Sequence, residues 1–209
     1  TREHANWLLV QKPEVEGALI SINPNNGSIV SLVGGFDYSS SKFNRALQAR
    51  RQVGSNFKPF LYSAALAKGY NAATVINDAP IVFDNGEGEE AWRPENYSGR
   101  FFGPTRLRQA LIRSQNMVSV RILDSIGINY TINYAQKFGY IKEALPKDLS
   151  LALGSGEMTP LELASGYATF ANGGFRIEPF LISVVKDFNG KIVFEASPFT
   201  VCAMCEQIG

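Results

Sequence analysis

Histidine is almost missing from this 209-residue chain: His4 is the only one. That makes a Ser-His-Asp triad or a histidine-rich metal site an improbable reading. Any nucleophilic chemistry must take its base from Lys, Glu, Asp or Tyr. Cysteine is nearly as scarce. The two residues form Cys202-Ala203-Met204-Cys205, too few ligands for a structural zinc site and without the βαβ context of a thioredoxin-like motif. A small disulfide and two free thiols remain equal readings. Charge of one sign is also lacking. The net charge of +1 gives no electrostatic case for nucleic acid or anionic lipid. No apolar run approaches the roughly 20 residues that span a bilayer. No signal peptide opens the chain, and Thr1 reads as a cut edge.

What is present is ordinary globular composition, 45% hydrophobic and 19% charged, enough for a core and one or at most two domains. Gly17 to Asn23 reads as a strand. Pro24-Asn25-Asn26-Gly27 reads as a turn and Ser28 to Val33 as the return strand. Residues 36–54 form a polar, Arg-rich loop. Ile81-Val82-Phe83 is a short strand candidate, and the acidic run at 84–90 a solvated loop. Pro104 is expected to open a helix through Ile112. Further helices are expected from Met117 to Ile126 and from Asn129 to Phe138, each closed by a glycine. Thr159-Pro160-Leu161-Glu162 has the form of a capping box before a helix to Ala171. Two strands are expected at 180–187 and 191–196. Hairpin, helix cluster and hairpin together predict an α+β fold, with helices packed on one antiparallel sheet.

The chemistry centres on Gln52-Val53-Gly54-Ser55-Asn56-Phe57-Lys58-Pro59-Phe60. It reads as a loop entering a helix near Ser55, with Pro59 tolerated in the first turn. Ser55 and Lys58 are three apart and share a face. A hydroxyl beside an amine can be nucleophile and base; a plain helix start is the other reading. Ser-x-x-Lys also occurs at Ser39 and Lys42 in a polar loop, and at Ser183 and Lys186 in a strand-like run. Only the Ser55 copy opens an apolar helix, at the positive end of its dipole. Ser114 and Asn116 fall at a junction between helices. Trp92 sits in an aromatic loop, where it either anchors the loop on the core or lines a cleft; the residues alone favour the anchor. Glu162 reads as a capping residue rather than a base.

These residues resemble the penicillin-binding proteins. The run 51–59 resembles their active-serine motif, and Ser114-Gln115-Asn116 resembles their Ser-x-Asn motif at a similar spacing. Phe43-Asn44-Arg45-Ala46, Trp92-Arg93-Pro94-Glu95-Asn96, Leu153-Gly154-Ser155 and Ala171-Asn172-Gly173-Gly174 resemble class A enzymes. The Cys202 and Cys205 pair resembles 1a-type proteins of Gram-negative bacteria. The family's third motif, Lys-Thr-Gly or Lys-Ser-Gly, occurs nowhere in the sequence. The resemblance implies that residues 1–14 are a lead-in linker and that 15–209 are the N-terminal and central part of a transpeptidase domain. It places the third-motif strand beyond Gly209, and the glycosyltransferase domain and membrane anchor before Thr1.

The resemblance further implies a D,D-transpeptidase on the periplasmic face of the bacterial inner membrane, without metal or cofactor. Its partners are peptidoglycan stem peptides, a D-Ala-D-Ala donor and an amine acceptor, together with β-lactam antibiotics. Ser55 is then the nucleophile and Lys58 its base. Ser114 is the proton relay, Asn116 binds the substrate amide, and Trp92 lines the cleft. For Lys58 to accept a proton its pKa must fall from ~10.4 toward ~7, a shift of roughly 4–5 kcal/mol. A serine β-lactamase shares Ser-x-x-Lys, but no Glu-x-x-Leu-Asn segment is present. A non-catalytic scaffold that binds β-lactam or peptidoglycan is the other alternative.

Overall fold

The computed structural model describes residues 11, 13–83 and 91–201. His4, the Trp7-Leu8-Leu9 lead-in, the acidic run at 84–90 and the Cys202 and Cys205 pair lie outside the described residues.

The first hairpin forms where Asn and Gly predict it. Strand β1 (Leu19–Ile22) pairs antiparallel with β2 (Ile29–Val33), with Leu19 opposite Val33. Its turn is closed by Asn23, whose Oδ1 accepts the Asn25 N–H at 2.9 Å. Gly27 has φ +80°, and a Cβ there would lie 2.2 Å from the Glu178 carbonyl oxygen. That close approach lets Phe180 pair beside Ser28, with the Ile29 N–H donating to Phe180 O at 2.8 Å.

The polar stretch at 36–54 is not loop throughout. A short helix, α1 (Arg45–Gln48), is capped by Asn44, whose Oδ1 accepts the Ala46 N–H. Strand β3 (Arg51–Gln52) follows. A 3-10 turn at Gly54–Phe57 then runs into α2 (Lys58–Ala67), with Pro59 in its first turn. Gly69 at φ +95° follows the helix end.

The next two strands were not legible. Strand β4 (Val75–Asp78) pairs antiparallel with β5 (Gly103–Arg106). Pro104 does not open a helix: it lies in β5 opposite Asn77. A two-stranded ladder has a free edge on which a residue without an N–H leaves no bond unmade. Helix α3 (Leu107–Ile112) begins three residues later. Of the strand expected at Ile81-Val82-Phe83, only Phe83 pairs, in a bridge with Trp92.

Helices α4 (Asn116–Ile126) and α5 (Ile128–Ala135) meet at Gly127, φ +91°. Strand β6 (Glu157–Met158) pairs with β3, and α6 (Pro160–Ala171) follows with the full capping box of Thr159 and Glu162. Strands β7 (Val184–Lys186) and β8 (Ile192–Glu195) make the last hairpin. The α+β reading holds. Among the described residues the antiparallel pairing is spread over four two-stranded ladders rather than gathered in one sheet.

The core runs along α2 and α4. Phe57, Phe60, Leu61, Ala64, Val118, Ile122 and Leu123 are all buried there. The Phe60 ring lies 5.0–5.3 Å from the rings of Tyr140, Phe138, Phe170 and Tyr167. Truncating such a ring to alanine costs about 3–5 kcal/mol. This cluster fixes α2, and α2 carries Lys58.

Candidate active site

The turn holding Ser55 is pinned from two sides. Downstream, Phe57 and Phe60 anchor it in the core. Upstream, the Val53 N–H donates to Gly156 O at 3.1 Å and the Gly54 N–H to Gly154 O at 2.9 Å. The β3–β6 ladder continues this pairing. The exposed Arg50–Glu162 ion pair at 3.1 Å braces it, which employs Glu162 in structure. Ser55 is exposed, while Lys58, one helical turn on, is 1% exposed. The Ser55 N–H sits in a first turn, where no intrahelical carbonyl reaches it.

Lys58 Nζ is held by three oxygens. It donates to Ser114 O at 2.6 Å, Ser114 Oγ at 3.0 Å and Asn116 Oδ1 at 2.6 Å. Burial lowers its pKa from 10.5 to about 8. The fall is smaller than the resemblance required.

Ser114 is the only non-glycine residue with positive φ (52°) among the described residues. It closes α3 in a Schellman arrangement: its N–H donates to Leu111 O at 3.0 Å and the Gln115 N–H to Ala110 O at 2.9 Å. Glycine usually occupies that position. A serine there stores strain of about 1–3 kcal/mol, and it turns both its hydroxyl and its carbonyl onto Lys58. Asn116 opens α4. Its Nδ2 uses one of two protons on Glu95 O at 2.7 Å.

Ser55, Ser114 and Asn116 line one cleft of about 440 Å³, with Asn96, Tyr97, Phe102 and Arg113 around it. The structure therefore brings four predicted residues together, with Lys58 beneath the other three. It does not bring the fifth. Trp92 stacks on Phe83 at 5.6 Å and packs against the core, outside the residues that line the cleft. The rival Ser-x-x-Lys tetrads are elsewhere: Ser39 Oγ donates to Asp37, and Lys186 is exposed on β7. Among the described residues Ser55 Oγ has no hydrogen-bond partner.

Three supporting residues were missed. Asn96, Asp78 and Gln115 are buried behind the junction. Only Asn96 had a signal, as the end of the Trp92 stretch.

A serine presented on a helix start over a buried lysine, with a second serine and an asparagine on the same amine, is an arrangement chemically able to carry serine acyl transfer. The chain belongs to the penicillin-binding protein transpeptidase family: the domain described as "Penicillin binding protein transpeptidase domain" matches residues 17–201. It is 48% identical over 200 residues to penicillin-binding protein 1A of Escherichia coli (strain K12), covering 96% of this chain and 24% of that protein. It is 47% identical over 197 residues to penicillin-binding protein 1A of Pseudomonas aeruginosa, covering 94% and 24%. The chain thus spans about a quarter of the length of these relatives. Among solved structures it superposes on penicillin-binding protein 1A from Haemophilus influenzae with TM-score 0.92 at 44% identity, covering 97% of this chain and 30% of that one. Against PonA1 of Mycobacterium tuberculosis the TM-score is 0.76 at 25% identity, covering 88% and 51%. PonA1 has also been solved in complex with penicillin V.

Proposed function

We propose that this chain carries the acyl-serine centre of a D,D-transpeptidase that cross-links peptidoglycan stem peptides and is acylated by β-lactams. The observation that carries this reading is Lys58 Nζ, buried and bonded to Ser114 and Asn116 beneath the cleft that exposes Ser55. With a pKa of about 8, about a quarter of Lys58 is neutral at pH 7.5. In that form it accepts the Ser55 proton as Oγ attacks the carbonyl between two terminal D-alanines. The Oγ–C bond forms, and the oxyanion meets the Ser55 N–H, a donor typically worth ~3–4 kcal/mol. The C–N bond then breaks. The proton returns from Lys58 through Ser114 Oγ to the leaving D-alanine amine. An amine from a neighbouring stem peptide attacks the acyl-serine and gives up a proton to Lys58 by way of Ser114 Oγ; the new C–N bond forms, the C–Oγ bond breaks, and Lys58 returns the proton to Ser55 Oγ. Asn116 holds the donor amide with its remaining Nδ2 proton. Likeness to penicillin-binding protein 1A supports a location on the periplasmic face of the bacterial inner membrane. The PonA1 complex with penicillin V supports β-lactam binding by this fold.

The test is intact mass after incubation with benzylpenicillin, on the protein as its gene encodes it. A stable single adduct that is lost in Ser55→Ala is the expected result. Rapid release of hydrolysed penicillin would instead identify a β-lactamase. A folded protein that never gains the adduct would be a scaffold. Release of D-alanine from a pentapeptide ending in D-Ala-D-Ala tests the donor.

A further inference from the structure

Behind the cleft lies a carboxylate that the reaction above does not use. Asp78, at the end of β4, is fully buried. Its Oδ1 accepts from Asn96 Nδ2 at 2.8 Å. Its Oδ2 accepts from Asn96 Nδ2 at 3.0 Å, Gln115 Nε2 at 2.9 Å and the Phe102 N–H at 3.1 Å. Every donor is neutral, and among the described residues no cation pairs with it. A buried charge satisfied by dipoles alone is demanding about their direction. An ionised carboxylate only accepts, so each amide facing it must present nitrogen.

This requirement settles Asn96. Its nitrogen is committed to Asp78 and to Arg100 O at 2.9 Å. Its oxygen therefore faces the other way, onto the start of α4. There it accepts the Asn116 N–H at 2.7 Å and the Met117 N–H at 3.4 Å. Those are helix-start donors that no carbonyl of α4 can reach. The residue in the capping position, Gln115, makes no side-chain cap bond; its amide goes to Asp78. The cap is supplied by a residue 20 positions upstream, and Asp78 orients it. The relay ends on Lys58, because Asn116 Oδ1 and Ser114 hold its amine.

We propose that Asp78 is a positioning residue for acyl transfer: by fixing the amides of Asn96 and Gln115 it sets the start of α4, and so the acceptors that seat Lys58. The inference rests on the acyl-serine reading. It predicts that the orientation of these amides, and not merely their packing, controls the rate at Ser55.

Asp78→Asn tests it. The substitution keeps the shape: its oxygen still accepts from Gln115 and Phe102 at the Oδ2 position, while its N–H₂ takes the Oδ1 position and faces the N–H₂ of Asn96. Turning the Asn96 amide over relieves that clash and strips the cap from Asn116. A fluorescent penicillin measures the acylation rate constant and the apparent dissociation constant separately. The saturated rate per folded protein falls about 10–100-fold, while the dissociation constant changes less than about threefold. Hydrogen exchange at the Asn116 and Met117 amides accelerates. In the double variant Asp78→Asn with Asn96→Asp, donor and acceptor are exchanged. The new amide on β4 then donates to the new carboxylate beside α4, whose second oxygen again accepts the Asn116 N–H; the bond to Arg100 O is lost, so stability recovers only in part while the cap on α4 is restored. This variant recovers about tenfold or more of the lost rate.

A folded Asp78→Asn protein that labels Ser55 at the wild-type rate overturns the proposal. So does a double variant that recovers its melting temperature in part but not its rate. If Asp78→Asn does not fold, the double variant decides alone. If the wild type never labels, the acyl-serine reading fails by itself. Exchange at Asn116 and Met117 then still decides whether Asp78 sets the start of α4.

Discussion

Gly154 and Gly54 meet backbone against backbone behind the Ser55 turn: a Cβ built on Gly154 would lie 1.8 Å from the Gly54 carbonyl oxygen. Gly154 also has φ +78°. Neither the space nor the conformation admits a side chain, and the facing atom is main chain that cannot swing aside.

Gly154→Ala is therefore expected to destabilise the protein by about 2–4 kcal/mol, combining overpacking with left-handed strain. Gly190→Ala is the control. Gly190 has φ +83° but nothing within 4 Å of a built Cβ, so only the conformational cost of about 1–2 kcal/mol applies. Urea midpoints of the two variants check this. Equal midpoints would mean that the glycine contact does not hold the turn.

The lowered pKa of Lys58 has a sign that can be measured. Folded Lys58 loses its proton near pH 8, against 10.5 ordinarily. Between those values the unfolded chain binds more protons, so stability rises with pH. The gain is about 2 kcal/mol from pH 7 to 9.5. It vanishes in Lys58→Met. Tyr62, raised to about 12, and Tyr140, also raised by burial, oppose the trend only above pH 10. Acylation should climb about tenfold from pH 7 to 9 as the neutral amine fills. A flat stability difference between wild type and Lys58→Met across this range would count against a buried, depressed lysine.

Ser114 separates strain from chemistry. Ser114→Ala keeps the left-handed conformation and loses the hydroxyl; Ser114→Gly loses both strain and hydroxyl. The glycine variant should be the more stable of the two by about 0.5–1 kcal/mol. Both should lose about 10²-fold or more in acylation, the usual weight of a positioned proton relay. Thermal melts and labelling rates on the same samples decide. A glycine variant that acylates normally would remove Ser114 from the proton path.

Local signals made part of this structure readable. The turn at Asn23 to Gly27, the capping box of Thr159 and Glu162, and the apolar helix opened by Ser55 each write their chemistry into a few adjacent residues. The strands β4 and β5 do not. Val75-Ile76-Asn77-Asp78 and Gly103-Pro104-Thr105-Arg106 show no clean alternation, and they form only by pairing with each other. Pro104 misleads because proline suits a helix start as well as a ladder edge. Ser114 hides because nothing in a serine announces a left-handed backbone. Asp78 hides because its partners lie 18 and 37 residues away. For Trp92 the residues alone read correctly as a loop anchor, packed on the core with its face on Phe83; the cleft role came from the resemblance.

The short ladder between β3 and β6 carries a consequence for the order in which the molecule assembles. Gln52 pairs with Glu157, about 105 residues later. Closing a loop of that size costs an entropy of about 4 kcal/mol beyond a constant, so the contact forms only once other packing has drawn its ends together. Translation at typical speeds separates the two segments by roughly 5–20 s. A ribosome that has just made Ser55 has produced the nucleophile without its seat. Any reagent that needs the seated serine meets no competent site on the growing chain until the later segment has emerged.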